Sequence, residues 1–255
     1  MIEASIVILN WHMNDLTSKC IESIIKNTDT SKLGLVIIDQ EVAEYNNPEW
    51  RRRYKNKFSE IMTMYNITNI GVPRGYNQGI KISLTMKPKY ICIMNNDIEV
   101  LPNWYEEFKR CLESDPKIGI VGGKSLPPGD NPNCPAYHGG IVAFTDGHFA
   151  GKKIEVPQGA PDLNLDIETY CVGFACAMIK TEVFEQIGLF DEEYSPCDYE
   201  DTDFCFHARS EGWKVVSCIP SKYYHIEGAT IKKKNFEIDW DKNRKYFLSK
   251  WSKML

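Results

Sequence analysis

Polar residues able to bind a metal directly follow a buried-looking strand near the middle of the chain. Residues 90–94 are apolar, and Asn95, Asn96 and Asp97 come immediately after them. A carboxylate at such a strand end can hold Mg²⁺ or Mn²⁺, hard cations that bridge protein and phosphate oxygens. An Asn/Asp turn is also a common structural feature after a strand. The segment therefore indicates a site for a cation and a diphosphate, with a purely structural alternative.

An acidic pair and a histidine in the last third of the chain could complete such a site. Glu200 and Asp201 open a predicted helix, where the helix dipole already favours carboxylates. One of them suffices for that purpose, so the pair also fits a general base that deprotonates a hydroxyl. His225 follows a strand and Pro220, in a loop that can fold back over the site. A lone histidine is usually structural, but as a ligand beside Asp97 it would favour Mn²⁺ over Mg²⁺.

A glycine-containing stretch supplies candidate phosphate contacts. Residues 69–79 carry three glycines, which allow close backbone approach, and Arg74 could pair with phosphate oxygens. Asn77 lies in the same stretch. The stretch matches neither the dinucleotide-binding fingerprint nor the lysine-bearing phosphate loop, so those two classes lose their main support. Trp11 could stack on a flat base or be an ordinary core aromatic.

The elements that must position these residues follow an alternating pattern. Apolar runs at 5–9, 35–38 and 90–94 alternate with helical patterns at 15–27 and 78–86. Continuous apolar strands separated by helices predict an α/β fold, with a mostly parallel central sheet covered by helices on both faces. Ligands of such sheets bind at the carboxyl ends of the strands. One pocket could therefore collect Trp11, Asp39 and Asp97.

The second half of the chain has a different pattern. Its predicted elements are helices at 104–112, 181–187 (capped by Thr181) and 201–211 (ended by Gly212), and strands at 118–122, 172–179 and 214–219 (stopped by Pro220). Residues 123–161 are rich in Pro and Gly and are expected to flank the site and shape an acceptor pocket. We divide the chain into a nucleotide-sugar-binding half (1–98), an acceptor-binding and catalytic half (99–230) and a C-terminal basic aromatic helix (231–255).

Composition narrows the classes of partner. The net charge of −5 gives no global basic face for nucleic acid, so a nucleic-acid acceptor is disfavoured. Nine cysteines, no Cys-x-x-Cys pair and no secretory signal predict buried free thiols and a cytoplasmic protein. No apolar run approaches the roughly 20 residues that span a bilayer.

The C-terminal segment 231–255 is basic, unlike the chain as a whole. It holds eight Lys/Arg and three Asp/Glu, and Phe236, Trp240, Phe247 and Trp251 recur at helical spacing. The plain interpretation is a helix that packs its aromatic stripe on the domain. The alternative is a basic aromatic helix on an anionic membrane, which would make the protein peripheral at the inner membrane face.

In this order, these motifs resemble the family 2 glycosyltransferases, particularly the stand-alone bacterial rhamnosyltransferase-like type. The resemblance covers most of the chain, at residues 6–11, 18–27, 36–39, 69–80, 91–104 and 172–228. It implies a GT-A fold with an additional small antiparallel sheet on the acceptor side. It also implies a nucleotide-sugar donor, a divalent cation (Mn²⁺ or Mg²⁺) and inversion at the anomeric carbon by single displacement.

The resemblance also implies roles for individual residues. Asp201 resembles the catalytic base with Glu200 in support, and Asp97 and His225 resemble the metal ligands. The remaining matches lie on the donor side: Asn10, Trp11, Asp39 (the base-reading carboxylate), Arg74, Asn77, Asn95, Asn96 and Asp97. Three positions depart from the family pattern: Asn95 replaces the first Asp of Asp-x-Asp, His12 replaces an asparagine, and Gln40-Glu41 replaces Asn-x-Ser. Donor identity stays open for that reason.

The sequence thus predicts an inverting hexosyltransferase that uses a UDP- or dTDP-sugar and a glycan, lipid-linked or protein acceptor. A nucleotidyltransferase of the same fold is one rival, but residues 10–16 lack the glycine- and lysine-rich phosphate loop it needs. A non-catalytic sugar- or nucleotide-binding module with a degenerate site is another. Transfer to a base in nucleic acid is supported by the basic C-terminal segment alone.

Overall fold

The structure is a computed structural model and describes residues 1–41, 49–126, 136–138, 140–141, 154–156, 165–226 and 239–254. Its strands are β1 (Ala4–Asn10), β2 (Leu33–Asp39), β3 (Glu60–Tyr65), β4 (Tyr90–Asn95), β5 (Ile98–Val100), β6 (Ile118–Leu126), β7 (Ala136–His138), β8 (Gly140–Ile141), β9 (Ile154–Val156), β10 (Asp166–Thr169), β11 (Cys171–Val172), β12 (Cys176–Lys180) and β13 (Lys214–His225). Its α-helices are α1 (Asn14–Asn27), α2 (Glu49–Arg53), α3 (Val72–Thr85), α4 (Trp104–Ser114), α5 (Thr181–Ile187), α6 (Glu200–Ser210) and α7 (Trp240–Trp251). Two 3-10 turns lie at Thr30–Lys32 and Glu192–Tyr194.

One large mixed sheet organises the fold. Its strand order is β10-β13-β6-β12-β4-β1-β2-β3. Strands β4, β1, β2 and β3 are parallel neighbours, whereas β12 runs antiparallel between β4 and β6. Strands β8 and β11 form a separate antiparallel pair. The predicted α/β fold with a parallel central sheet is confirmed.

The two faces of the sheet bury separate apolar clusters. Along β1, Ile6 and Ile8 belong to the cluster that includes side chains of α1 and α4, while Val7 belongs to the cluster that includes side chains of α3, α5 and α6. This alternation follows from the two-residue period of a strand. Helix α3 lies very close to β1, because a Cβ on Gly79 would stand only 2.2 Å from a methyl carbon of Val7. Helices therefore cover both faces, as the apolar pattern predicts.

Several predictions about individual elements were wrong. Pro220 does not stop a strand at residue 219, because β13 continues to His225 across a shift in register between Cys218 and Lys222. Such an irregularity is where a sheet tolerates proline. Thr181 does not cap α5, since its hydroxyl donates to the carbonyl of Pro88. The single strand predicted at 172–179 is two strands, β11 and β12.

The C-terminal helix packs its aromatic residues against the domain. Phe247 is fully buried with Tyr194 and Phe206, and Trp251 packs against the same cluster. Trp240 is exposed. None of the helices in the described ranges combines the length and apolar character needed to cross a bilayer. Most of the predicted acceptor-flanking stretch (123–161) and residues 227–238 lie outside the described residues.

Candidate active site

Asp97 and His225 form the centre of the candidate metal site. Strand β5 pairs antiparallel with β13 and sets His225 opposite Ile98. The amide of Ile226 donates to the carbonyl of Asp97, and Nε2 of His225 lies 3.2 Å from Oδ1 of Asp97. Both side chains are largely buried. His225 is thus the last residue of a strand, and the prediction that it lies in a loop beyond the strand was wrong.

The donor atoms of this pair suit a divalent cation. A carboxylate oxygen is a ligand for Mg²⁺ and Mn²⁺, and an imidazole nitrogen shifts the preference toward the later metal. The pair offers two protein ligands, and phosphate oxygens and water commonly complete the coordination of such ions. The side chains present therefore fit a nucleotide-bound cation.

Tyr76 on α3 contacts the end of β4, next to Asp97. Its buried hydroxyl donates to the carbonyl of Met94 at 2.9 Å and lies 3.0 Å from Oδ1 of Asn95. Burial raises the pKa of Tyr76 far above its ordinary value, and the charges of Glu200, Asp97 and Asp201 raise it further. These carboxylates therefore lie within electrostatic reach of one phenol. Sequence reasoning missed Tyr76, because an aromatic residue on the apolar face of a helix looks like ordinary core.

Asp201 is held by neighbouring donors at the N-terminus of α6. Its Oδ2 accepts from the amide of Phe174 at 3.3 Å, and its Oδ1 accepts from the amide and hydroxyl of Thr202 at 2.6 and 3.2 Å. Burial raises the pKa of Asp201, and these hydrogen bonds offset part of that rise. A carboxylate with a raised pKa is a stronger base than a free aspartate.

Two further carboxyl groups stand beside Asp201. Burial is the main cause of a raised pKa at both Glu200 and Asp198, and the charge of Asp201 is the second cause. The pKa of Asp198 rises to about 7. One oxygen of each carboxyl group is buried without a hydrogen-bond partner among the described residues. Asp198 and Tyr199 both adopt positive φ angles, of 83° and 75°, which are uncommon for such residues and often accompany functional sites. The sequence analysis did not single out Asp198.

A buried polar network occupies the carboxyl ends of β1 and β2. Asp39 accepts from Asn10 Nδ2 at 2.6 Å and from the indole of Trp50 at 2.9 Å. Asn10 in turn accepts from Thr17 and Asn96. Burial raises the pKa of Asp39, and the two donors oppose that rise. The structure therefore joins the predicted donor-side residues Asn10, Asp39 and Asn96, and adds Trp50, which the sequence pattern did not single out.

Trp11 lies at the outer side of this network. It is half-buried, and its indole nitrogen donates to Oε2 of Glu41 at 2.6 Å. His12 has a positive φ of 55° and its Nε2 stands 3.3 Å from the same carboxylate oxygen. Glu41, at a position where the sequence departs from the family pattern, thus fixes the orientation of the predicted base-stacking residue.

Arg74 and Asn77 both contact Glu192. Arg74 is exposed and its Nε lies 3.3 Å from Glu192. Asn77 is buried, donates to the carbonyl of Phe190 and to Glu192, and accepts from the amide of Phe190. Both N–H groups of its side chain and its oxygen are therefore already hydrogen-bonded within the protein. This favours a positioning role over the predicted direct contact with a nucleotide sugar. Arg74 keeps exposed surface for such a contact.

A second group of possible metal ligands consists of Cys111, Asp166 and Cys218, whose ligand atoms all lie within 4.8 Å of one another. Arg110 makes two hydrogen bonds to Asp166, at 2.8 and 2.9 Å, and its guanidinium lies 4.0 Å from the sulfur of Cys218. A fixed positive charge beside the group opposes the binding of a cation. This group is therefore a poor metal site.

Sequence comparison places these features in a family context. Residues 5–188 match the model of the family described as "Glycosyl transferase family 2". The O-antigen biosynthesis protein RfbC of Myxococcus xanthus is 29% identical over 147 residues, which make up 55% of this chain and 11% of RfbC. The chain spans about a quarter or less of the length of the curated relatives it matches.

Solved structures share the fold at low sequence identity. The structure of GalNAc-T7 with UDP, GalNAc and Mn²⁺ matches with a TM-score of 0.63 and 16% identity, over 88% of this chain and 44% of that one. The mannosyltransferase PcManGT from Pyrobaculum calidifontis, in complex with GDP-Man and Mn²⁺, matches with a TM-score of 0.61 and 13% identity, over 88% of this chain and 56% of that one. At these identities the likeness shows the fold alone.

Proposed function

The chain belongs to glycosyl transferase family 2, and from that premise we propose that it is an inverting, metal-assisted transferase that moves a hexose from a UDP- or dTDP-sugar to an acceptor hydroxyl. The observation that carries the proposal is the 3.2 Å pair of Asp97 and His225. Asp201 accepts from the amide of Phe174, and the next residue, Ala175, accepts from the amide of Asn95, two residues before Asp97. A short backbone path thus connects the candidate base to the candidate cation site.

In this proposal two residues would hold a cation and a third accepts a proton. Asp97 and His225 would hold a divalent cation, which supplies positive charge against the diphosphate when bound. Asp201 accepts the proton of the acceptor hydroxyl. The acceptor oxygen then bonds to the anomeric carbon as the bond from that carbon to the diphosphate oxygen breaks, and the nucleoside diphosphate leaves with the electron pair. Burial raises the pKa of this base, and Glu200 and Asp198 are proposed to support it at the same end of α6.

On the donor side, Asp39 would read the base, with Trp11 beside it and Asn10 and Asn96 holding the carboxylate in place. The two solved structures described above contain UDP or GDP-Man with Mn²⁺, which supports a nucleotide-sugar donor and a divalent cation without choosing the nucleotide. Arg74 is proposed to contact the diphosphate. Asn95 and Asp97 would face the donor from the end of β4.

The acceptor is proposed to be a glycan, a lipid-linked sugar or a protein, and the setting to be cytoplasmic. The RfbC relative is described as an O-antigen biosynthesis protein, which supports a glycan product. The free cysteines of the described residues fit a reducing compartment. Peripheral contact with the inner membrane face through α7 stays a prediction, and the burial of Phe247 favours the packing role of that helix.

A donor panel tests the proposal. The protein is mixed with UDP-, dTDP- and GDP-sugars, with Mn²⁺ or with a chelator, and thermal shift and release of nucleoside diphosphate are measured. We expect one donor to raise the melting temperature, because a ligand that binds only the folded state stabilises it, and to be hydrolysed slowly when Mn²⁺ is present. Binding without any turnover would instead indicate a non-catalytic module, and release of pyrophosphate from a nucleoside triphosphate and a sugar phosphate would indicate a nucleotidyltransferase.

A further inference from the structure

The 195–199 loop, which leads directly into Glu200 and Asp201, is held from two sides. On one side the amide of Val72, the first residue of α3, donates to the carbonyl of Pro196 at 2.6 Å. On the other side Nδ2 of Asn243, on α7, donates to the carbonyls of Tyr194, Cys197 and Asp198 at 3.2, 3.0 and 3.0 Å.

The contact of the loop with α3 is a close one between backbone atoms. Gly71 has a φ of 89°, and a Cβ at that position would stand 3.0 Å from the carbonyl oxygen of Pro196. The loop and the start of α3 are therefore in direct backbone contact. A displacement of the loop away from α3 would break the bond from Val72, and a displacement toward α3 is blocked.

The contact with α7 is made by a single buried side chain. Asn243 is 2% exposed, and its amide group serves three backbone carbonyls of one short segment. Carbonyls that lose their donor away from water are destabilising, so the arrangement favours one loop conformation. Among neutral side chains, only asparagine and glutamine carry an amide NH₂ group with two N–H donors. Glutamine is one methylene longer.

We propose that Asn243 is a positioning residue for the reaction: it fixes the 195–199 loop and thereby sets Asp198, Glu200 and Asp201 against the donor site. This inference rests on the proposed function. It also extends the candidate active site from α6 and β13 into the C-terminal helix.

The same helix provides a matched control at its other end. Trp251 donates its indole N–H to Oδ1 of Asp203 at 2.7 Å, and Lys250 pairs with the same carboxylate. These bonds attach α7 to α6 through side chains other than Asn243. Trp251→Phe therefore weakens the docking of α7 and leaves the hydrogen bonds of Asn243 in place.

The test compares Asn243→Leu, which keeps the approximate size of the side chain and removes its donors, with Trp251→Phe in the full chain. For Asn243→Leu we expect kcat to fall about 10- to 100-fold, as for other supporting residues of catalytic sites, while the Kd for the nucleoside diphosphate with Mn²⁺ changes less than about twofold. We expect Trp251→Phe to lower the melting temperature with kcat nearly unchanged. Hydrogen exchange of the peptide that covers residues 195–201 should rise in Asn243→Leu alone.

Each contrary result has its own meaning. If both variants lose kcat in step with melting temperature, Asn243 acts only through stability and the inference is overturned. Unchanged exchange in the 195–201 peptide overturns it as well, whatever the activity. If the wild-type protein turns over no donor, the proposed function fails, and the exchange comparison still decides whether Asn243 holds the loop. Should Asn243→Leu not fold, Asn243→Gln, which keeps the donors but shifts them by one methylene, is expected to show the same loss of kcat.

Discussion

Oδ1 of Asp97 lies 3.2 Å from Nε2 of His225, although the two residues are far apart in the sequence. The pairing of β5 with β13 brings them together, and the bond from the amide of Ile226 to the carbonyl of Asp97 fixes the backbone at the same point. The two proposed metal ligands are therefore placed by a sheet and not by a loop. A site built on paired strands is held more precisely than one on a flexible segment.

Loss of either member of this pair should remove metal binding. Asp97→Asn keeps the shape of the side chain and removes its charge, and His225→Ala removes the nitrogen ligand. We expect Mn²⁺ affinity in the presence of nucleoside diphosphate, measured by calorimetry, to fall at least about 10- to 100-fold in each variant. Turnover should fall with it and should also vanish when a chelator is added to the wild type.

His207→Ala is the matched control for the histidine variant. His207 lies on α6 beside Trp251, away from Asp97. The substitution His207→Ala should leave Mn²⁺ affinity unchanged. Equal Mn²⁺ affinity in Asp97→Asn and the wild type would show that the cation, if required, is held elsewhere.

Asp201→Asn should separate catalysis from binding. The asparagine keeps an oxygen for the amide of Phe174 but cannot accept a proton from the acceptor. Removal of a general base typically costs about 10²–10⁴-fold, so kcat should fall by that order, and donor affinity should stay within about threefold of the wild type. The measurement is kcat and donor Kd side by side. Parallel loss of both would contradict the assigned role.

The sequence predicted the parallel half of the fold well, because β-branched apolar runs and amphipathic helices alternate there. It also singled out Asp97, Asp201 and His225 as candidate site residues, and the structure brings Asp97 and His225 into contact. It could not predict that β13 passes through Pro220, since the register shift that accommodates the proline depends on the neighbouring strand β6. Nor could it predict that the amide of Asn77 is used by Phe190 and Glu192, because both partners lie far along the chain.

The supporting residues were the hardest to predict. Tyr76, Trp50 and Asn243 each look like ordinary helix residues, and only tertiary contacts give them a place near the site. Spacing along a helix reveals which face is buried. It does not reveal which distant carbonyl or carboxylate a buried N–H or O–H group will meet.

Asp198 should make stability depend on pH. Its pKa rises from 3.8 to about 7 on folding, mainly through burial, so between these values the folded state holds a proton that the unfolded state has released. The stability from this group is therefore complete below about pH 3.8 and is lost as pH rises toward 7 and above. In chelator, the free energy of unfolding of Asp198→Asn, measured with urea, should decline less than that of the wild type between pH 5 and 8. An identical slope in both proteins would show that Asp198 does not titrate in this range.

Trp50→Phe should weaken nucleotide binding through Asp39. The change keeps an aromatic ring in the buried position and removes the N–H that donates to Oδ2 of Asp39 at 2.9 Å. That bond opposes the rise in the pKa of Asp39 caused by burial, so without it more of the carboxyl is protonated and fewer molecules can accept a hydrogen bond from the base. A hydrogen bond to a charged group contributes about 1.5–3 kcal/mol, or roughly 10- to 150-fold. Because the loss reaches the nucleotide only through Asp39, we expect UDP affinity to fall by about tenfold at neutral pH and by more at pH 5.

Tyr54→Phe controls for packing in the same experiment. Tyr54 stacks on Trp50, with ring centroids 6.4 Å apart, and its hydroxyl donates to the carbonyl of Ser18. Removing that hydroxyl disturbs α2 but leaves both donors of Asp39 in place, so UDP affinity should stay near that of the wild type at both pH values. If the two variants lost affinity equally, the effect of Trp50 would come from the packing of α2 and not from its N–H. If only Trp50→Phe loses affinity and the loss grows at low pH, the charged form of Asp39 is the form that binds the base.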